Sequence, residues 1–317
     1  MKNPRTTFFS HTFSALLAVC MPIMGCSTNN AVSVAEMKPA AALLGGNGFT
    51  IYAAGDIADC AKSPAANSAA AKTAALIAAG LASGTNAAVL TLGDNAYPKG
   101  LPAEFTNCYD PTWGQFKART YPSPGNHEYY SAGGGGYYGY FGDAAGPDLR
   151  GYYSVDLGKW HIVSLNSNLK DKEHQAQLDW LKTDLAAHKA ACTLAYWHHP
   201  VFSSGGHGNN VQMKDVWDVL QAGDADLVLN GHDHNYERFA PQDGQGNRDD
   251  KRGIREFVVG TGGAKLTMLG LRKQNSEASD NASHGILKLV LKDSGYEWEF
   301  LPVAGETFTD HGVGLCH

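Results

Sequence analysis

Ala88-Val89-Leu90-Thr91-Leu92-Gly93-Asp94-Asn95-Ala96-Tyr97 is an apolar run that stops abruptly at a glycine and a carboxylate. A short, mostly apolar run bounded by a turn signal suits a strand covered on both faces. Glycine at the turn lets the backbone bend sharply and approach a ligand with no Cβ in the way. The same figure recurs on either side. Phe49–Ala54 runs into Gly55-Asp56, Thr193–Trp197 into His198-His199-Pro200, and Asp226–Asn230 into Gly231-His232-Asp233-His234. Gly125-Asn126-His127-Glu128 is a further polar cluster of this kind.

Between these runs the periodicity changes. Trp160–Leu165 and Thr193–Trp197 read as strands, separated by an amphipathic helix over about 171–189 with Leu178, Leu181 and Leu185 on one face. A second helix is expected from Pro64 to about Ala79, with Ser63 as N-cap and Gly80 as its stop. Glu256–Val259 is another strand, and Leu287–Leu291 with Tyr296–Phe300 reads as a terminal hairpin. Strands interleaved with helices predict an α/β fold, with one catalytic domain over 49–303 and no internal linker or repeat. Ligand sites in such sheets lie beyond the carboxyl ends of the strands, so the polar clusters are expected to converge.

The chain has 317 residues, 43% of them hydrophobic, which excludes wholesale disorder. A net charge of −6 and a pI near 6.1 argue against a nucleic-acid-coating protein, so no nucleic-acid partner is expected. Lys2 and Arg5 precede the uncharged, mostly apolar run from Phe8 to Met24, the pattern of a secretory signal. That run ends Ile23-Met24-Gly25-Cys26-Ser27 and resembles a bacterial lipobox. Residues 1–26 are therefore expected to be a signal peptide with lipidation at Cys26, and a lipid anchor the chain's one membrane contact. Ordinary cleavage nearby and a retained anchor are the alternatives. Residues 27–48, rich in Ala, Ser and Asn, read as a tether. The expected location is the bacterial cell envelope, periplasmic or surface, or the exterior. Cys60, Cys108, Cys192 and Cys316 then remain, with three possible connectivities. The expected pairs are Cys60–Cys108, on loops that the clusters bring together, and Cys192–Cys316, stapling a tail at 304–317 to the body. Free buried thiols are the alternative.

Together the clusters offer carboxylates, an amide, imidazoles and a phenol. That oxygen and nitrogen set suits zinc, iron or manganese, and lacks the thiolates of a structural zinc site. Taken singly, each has a plainer reading: Gly-Asp is commonly a turn, and His198 and His199 can be one packed and one exposed histidine. The case rests on the clusters occurring together and in order.

In that order they resemble the calcineurin-like metallophosphoesterase superfamily, and within it the purple acid phosphatases, over about 50–303. Many members of the superfamily begin with Asp-x-His. Here Ile57 and Ala58 follow Asp56, and Tyr97 stands three residues after Asp94, where the purple acid phosphatases carry a tyrosine. The resemblance implies a four-layer α-β-β-α sandwich with a bimetal site at the carboxyl ends of the strands. It implies Asp56, Tyr97 and His234 on a first metal, Asn126, His198 and His232 on a second, and Asp94 bridging both. His198 is preferred to His199 because it stands two residues before Pro200. It further implies His127 and His207 as substrate-touching catalytic histidines, although His207 can equally be an exposed loop residue. The metals implied are iron with zinc, manganese or a second iron. The reaction implied is in-line attack by hydroxide, generated at the metal pair, on a small phosphate monoester. The same centre serves phosphodiesterases and phospholipases, with selectivity in loops such as 131–150, whose Tyr137, Tyr138 and Tyr140 are expected to form a lid or a flexible aromatic turn. A binding protein on a retired scaffold is the reading from another class. Gly260-Thr261-Gly262-Gly263 is expected to be a sheet-edge turn, and Arg238 either to reach substrate or to support its loop by an ion pair.

Overall fold

Alternating apolar residues drive the chain into two stacked sheets. The structure is a computed structural model that describes residues 48–84 and 86–317. The signal-like run with Cys26, and all but the last residue of the tether, lie outside the described residues. In chain order the strands are β1 (Phe49–Ala54), β2 (Ala87–Leu92), β3 (Thr120–Ser123), β4 (Tyr153–Leu157), β5 (Trp160–Ser164), β6 (Cys192–Tyr196), β7 (Leu227–Asn230), β8 (Tyr236–Phe239), β9 (Arg255–Val259), β10 (Ser276–Asp280), β11 (Gly285–Lys292), β12 (Gly295–Pro302) and β13 (His311–Leu315). The longer helices are α1 (Ala69–Ala82), α2 (Gly135–Phe141), α3 (Asp171–Ala187) and α4 (Lys214–Ala222). One sheet has the order β13-β12-β11-β1-β2-β3 and the other β10-β8-β9-β7-β6-β5-β4. β1, β2 and β3 run parallel in the first, as do β5, β6, β7 and β9 in the second.

Period-two alternation sorts the side chains between layers. Ile162, Leu194, Leu227 and Leu229 face inward and meet Ile51, Leu287 and Leu289 of the first sheet. Val163, Ala195 and Val228 face outward, where Leu178, Leu181 and Leu185 of α3 and Val216, Trp217 and Leu220 of α4 cover them. On the opposite side α1 lies on the first sheet through Ala70, Ala74 and Ile77. The result is α-β-β-α layering, as the resemblance implies.

Several sequence expectations shift. α1 starts at Ala69, not Pro64, because the Ser68 hydroxyl accepts the Ala71 N–H and caps it; Pro64 precedes a separate short turn. Gly80 lies inside α1 and does not stop it. A Cβ there would come within 2.1 Å of the Tyr52 hydroxyl, so the glycine serves close approach to β1. The hairpin of β11 and β12 is not the last element, since β13 adds to β12 from within 304–317. The Gly260–Gly263 turn is not at a sheet edge. It follows β9, an interior strand, and lies under the first loop of the site: Gly262 N–H donates to the Gly55 carbonyl at 3.0 Å and Ala264 N–H to that of Asp56 at 2.8 Å. Both expected disulfides form, Cys60–Cys108 and Cys192–Cys316. Among the described residues, no helix is long and apolar enough to cross a membrane.

Candidate metal centre

The loops after β1, β2, β3, β6 and β7 meet where the ends of the two sheets come together. Backbone bonds tie them in series: Asp56 N–H to the Gly93 carbonyl at 3.0 Å, Ile57 N–H to that of Asp94 at 2.9 Å, and Gly231 N–H to that of His198 at 3.0 Å. Gly93 has φ of 83°, and a Cβ on it would lie 2.5 Å from the His198 ring, so only glycine fits there. Asp56, Asp94 and His232 also have left-handed backbones, with φ of 59°, 49° and 70°. Such conformations in residues other than glycine cost about 1 kcal/mol or more each and persist where the surroundings fix them.

Side-chain bonds provide that fixing. Asp56 uses Oδ2 to accept the His232 N–H at 2.8 Å, and Asp94 uses Oδ1 to accept the His127 N–H at 2.9 Å. Each buried carboxylate thus spends one oxygen on a neighbouring loop and turns the other inward. The Tyr97 hydroxyl lies 2.8 Å from Asp56 Oδ1, 3.0 Å from Asp94 Oδ2 and 3.2 Å from His234 Nε2. On the far side of Asp94, His198 Nε2 is 3.3 Å from Asp94 Oδ2, 3.1 Å from Asn126 Oδ1 and 3.2 Å from His232 Nδ1. The structure therefore brings all seven expected side chains into one pocket, as two groups that share Asp94.

The outer atoms decide which lone pairs face inward. His198 Nδ1–H donates to the Leu92 carbonyl at 2.8 Å and His234 Nδ1–H to that of Lys265 at 2.8 Å. Asn126 donates its amide N–H to the Tyr130 hydroxyl at 2.9 Å, which leaves its oxygen pointing in. Imidazoles anchored by their distal N–H are the usual outer arrangement of a metal centre. Acceptor atoms converging from seven side chains need positive charge among them. In the protein alone, protons supply it. Burial disfavours the charged form of His198 and His234, yet Asp94 and Asp56 push them up to about 9. Asp94 is held well below its usual range against its burial, chiefly by the His198 charge. Burial and the two carboxylates raise Tyr97 well above an ordinary phenol. A cation in each group would replace the protons on His198 and His234, and the oxygen-rich donor set fits zinc, iron or manganese.

The two expected substrate histidines lie at the rim. His127 donates Nδ1–H to the Pro98 carbonyl at 2.7 Å, and its Nε2 sits 3.7 Å from Asp94 Oδ2. The exposed His207 ring lies 4.2 Å from that of His232. Asp233, between the two histidines of its loop, turns away: it accepts the His207 N–H at 2.9 Å and the Ser203 hydroxyl at 2.5 Å, and so anchors the His207 loop.

Two residues at the site have roles that the sequence does not assign. Glu128 is fully buried and accepts the N–H groups of Asn95 at 2.8 Å, Ala96 at 3.3 Å and Gly125 at 2.7 Å. It clamps two of the site's loops together. His199 faces the same pocket as His198 and His232, with a donor atom within 4.8 Å of one on each, and Ser167 holds its Nδ1 at 2.7 Å. Burial, with the charge on His198, lowers His199 to about 3, so it stays neutral. Its doublet with His198 is the available sequence signal. The 131–150 segment does not form a lid: Tyr137 and Tyr138 of α2 are buried in the core, and the Tyr138 hydroxyl meets that of Tyr129 at 2.9 Å beneath the Asn126 loop. Arg238 lies on β8 and not in a loop; it bonds Asp310 at 2.7 Å and Glu277 of β10, so its guanidinium is committed to ion pairs.

A family model described as calcineurin-like phosphoesterase matches residues 49–236. Purple acid phosphatase 21 of Arabidopsis thaliana is 29% identical over 150 residues, which cover 44% of this chain and 34% of that protein. The tartrate-resistant acid phosphatase type 5 of Rattus norvegicus is 36% identical over 73 residues, 23% of this chain and 22% of that one. Among solved structures, the purple acid phosphatase PPD1 of yellow lupin has a TM-score of 0.67 at 20% identity, covering 84% of this chain and 53% of its own. GAP50, the anchor in the inner membrane complex of Plasmodium, has a TM-score of 0.66 at 14% identity, covering 86% and 90%. The chain thus spans about a third of the length of the Arabidopsis relative and about half of the lupin one.

Proposed function

The chain belongs to the calcineurin-like phosphoesterase family, and from that premise we propose that it is an exported phosphatase that hydrolyses small phosphate monoesters at a pair of metal ions. The observation that carries the reading is the buried Tyr97 phenol set between two carboxylates, 2.8 Å from Asp56 and 3.0 Å from Asp94. Asp56, Tyr97 and His234 would hold one ion, Asn126, His198 and His232 the other, and Asp94 would join both. The pair would be iron with zinc, manganese or a second iron, the phenolate being the donor that favours iron. When bound, such a pair supplies charge neutralisation at a phosphoryl group and lowers the pKa of coordinated water.

The remaining work falls to the chain's own residues. The bond from His127 to Pro98 fixes the ring so that Nε2 points at the rim, where an N–H can stabilise a phosphoryl oxygen and pass a proton to the leaving oxygen. His207, held over His232 by the Asp233 anchor, would reach the same group from another side. Glu128 keeps the Asp94 and Asn126 loops in register. Two disulfides and the secretory pattern support export, with a lipid on Cys26 as the membrane contact. The acidic net charge supports a small ester over nucleic acid as substrate.

Elemental analysis and the visible spectrum of the purified protein, with turnover of p-nitrophenyl phosphate and of its bis-ester, test the proposal. The expected result is two metals per chain, a tyrosinate-to-iron band lost in Tyr97→Phe, and faster turnover of the monoester. A colourless active protein would exchange iron for zinc or manganese. Preference for the bis-ester would make the enzyme a phosphodiesterase, and folded protein with neither metal nor turnover would overturn the reading altogether.

A further inference from the structure

The loops around the metal centre carry apolar side chains that point into water. Among the described residues, Leu271 at 93% and Met268 at 81% are the most exposed large apolar ones. Both lie in 264–275, within the connection from β9 to β10, and that connection is fixed to the site at two places. His234 donates Nδ1–H to the Lys265 carbonyl at 2.8 Å, and the His234 carbonyl accepts the Thr267 N–H at 3.0 Å. Ser204, at the base of the His207 loop, accepts the Gly270 N–H on its carbonyl at 2.7 Å and the Lys273 N–H on its hydroxyl at 2.8 Å. The His207 loop itself leads to Val211, which is 79% exposed. Tyr130, also exposed, lays its ring 4.7 Å from that of His127. Apolar groups scattered singly over a surface are ordinary, but gathered around one rim they mark a contact.

The charge of this connection differs from that of the chain. Residues 264–275 hold Lys265, Arg272 and Lys273 and no acid, in a chain with 31 acidic and 25 basic residues. All three side chains are exposed, and none has an ion-pair partner among the described residues. Met268 and Leu271 project from the surface and line no groove, a shape that enters a fluid layer and does not receive a peptide. Apolar tips flanked by free cations match a surface that is anionic outside and apolar within.

We propose that this rim is a membrane-docking face, with Met268 and Leu271 entering the headgroup boundary of an anionic bilayer while Lys265, Arg272 and Lys273 meet its phosphates. It is a second membrane contact, beyond the lipid expected on Cys26. The tether permits both at once, since the 22 residues from Cys26 to Gly48 reach up to about 75 Å when extended. Docked in this way, the metal centre opens toward the headgroup layer. The contact is one of loop side chains with lipid and does not depend on the phosphatase reading.

The test reads the loop itself, so attachment through the N-terminus alone gives no signal. The full chain is mixed with vesicles of phosphatidylcholine, alone or with phosphatidylglycerol, and mass spectrometry follows peroxide oxidation of Met268 and amide exchange over 265–273. Both are expected to slow severalfold on the anionic vesicles, more than on the neutral ones, and the difference should shrink at about 0.5 M salt. Leu271→Asp, and separately Arg272→Glu with Lys273→Glu, alter exposed side chains and should fold; each is expected to remove most of the protection. The Asp94→Ala protein should keep it, because the loop and not the metal pair makes the contact. Protection lost in Asp94→Ala would assign the contact to a headgroup held at the metal centre, and protection in concentrated protein without vesicles would assign it to a second copy of the chain. Either result would overturn the proposal, as would equal rates with and without anionic vesicles.

Discussion

Glu128 Oε1 accepts the backbone N–H of Asn95 at 2.8 Å, and that bond couples the loop after β3 to the loop after β2. The same carboxylate also receives Ala96 and Gly125, so three buried donors depend on one side chain. Each orphaned donor costs about 1–3 kcal/mol. Glu128→Ala should therefore lower stability by about 3 kcal/mol or more, read as a reduced urea midpoint. Because Asp94 and Asn126 lie on the two coupled loops, metal content and turnover should fall with it. An unchanged midpoint would show that water replaces the carboxylate freely.

Asp94 and His127 sit side by side but should fail differently. Asp94 belongs to both donor groups and also accepts the His127 N–H. Asp94→Ala should lose bound metal and all measurable turnover. The His127 ring touches the centre only at 3.7 Å, so His127→Ala should retain the metals and lose about 10²-fold or more in kcat. Metal analysis beside steady-state kinetics separates the two. A metal-replete, fully active Asp94→Ala protein would remove the bridging role.

Much of this arrangement is legible in the sequence because chemistry and periodicity coincide there. Leu92 ends an apolar strand and Gly93-Asp94 follows at once, so strand end and donor mark each other. The residues that escape such a reading are those whose role depends on where a neighbour lies. Ser63 and Ser68 are equally good caps by composition, and only the turn at Ala65–Asn67 selects Ser68. Gly80 reads as a stop until Tyr52 is seen against it. β4 and β13 are half-exposed and mixed in polarity, so no apolar run marks them. Glu128 looks like any loop acid until three N–H groups are found around it.

The Cys192–Cys316 bond joins the start of β6, in the second sheet, to the residue after β13, in the first. It closes 124 residues of chain, and a crosslink of that span contributes about 5 kcal/mol when it constrains the unfolded state. The Cys192→Ser, Cys316→Ser double variant should lose stability on that scale in urea under oxidising conditions. Its kcat should not change, because the site lies at the opposite end of β6, beyond Tyr196. A loss of activity in folded, metal-bound double variant would contradict that separation.

Beside that crosslink, His317 gives the stability of the oxidised protein a pH dependence of definite sign. Its Nδ1 lies 2.8 Å from Asp226 Oδ1, which also accepts the His317 N–H at 3.0 Å, while Asp226 Oδ2 accepts that of Thr193 at 2.8 Å. The bond to Asp226 raises His317 above its ordinary value of 6.5, with burial opposing. A histidine raised in the folded state contributes stability that is complete below the unfolded value and is lost as pH climbs through the folded one. Urea unfolding of wild type and His317→Ala should thus differ most below the ordinary histidine value of 6.5 and converge as pH rises past the raised folded value. The residual difference at high pH measures the hydrogen bond and packing of the neutral ring. A gap between the two proteins that is constant across this range would mean that the imidazolium form contributes no more than the neutral ring.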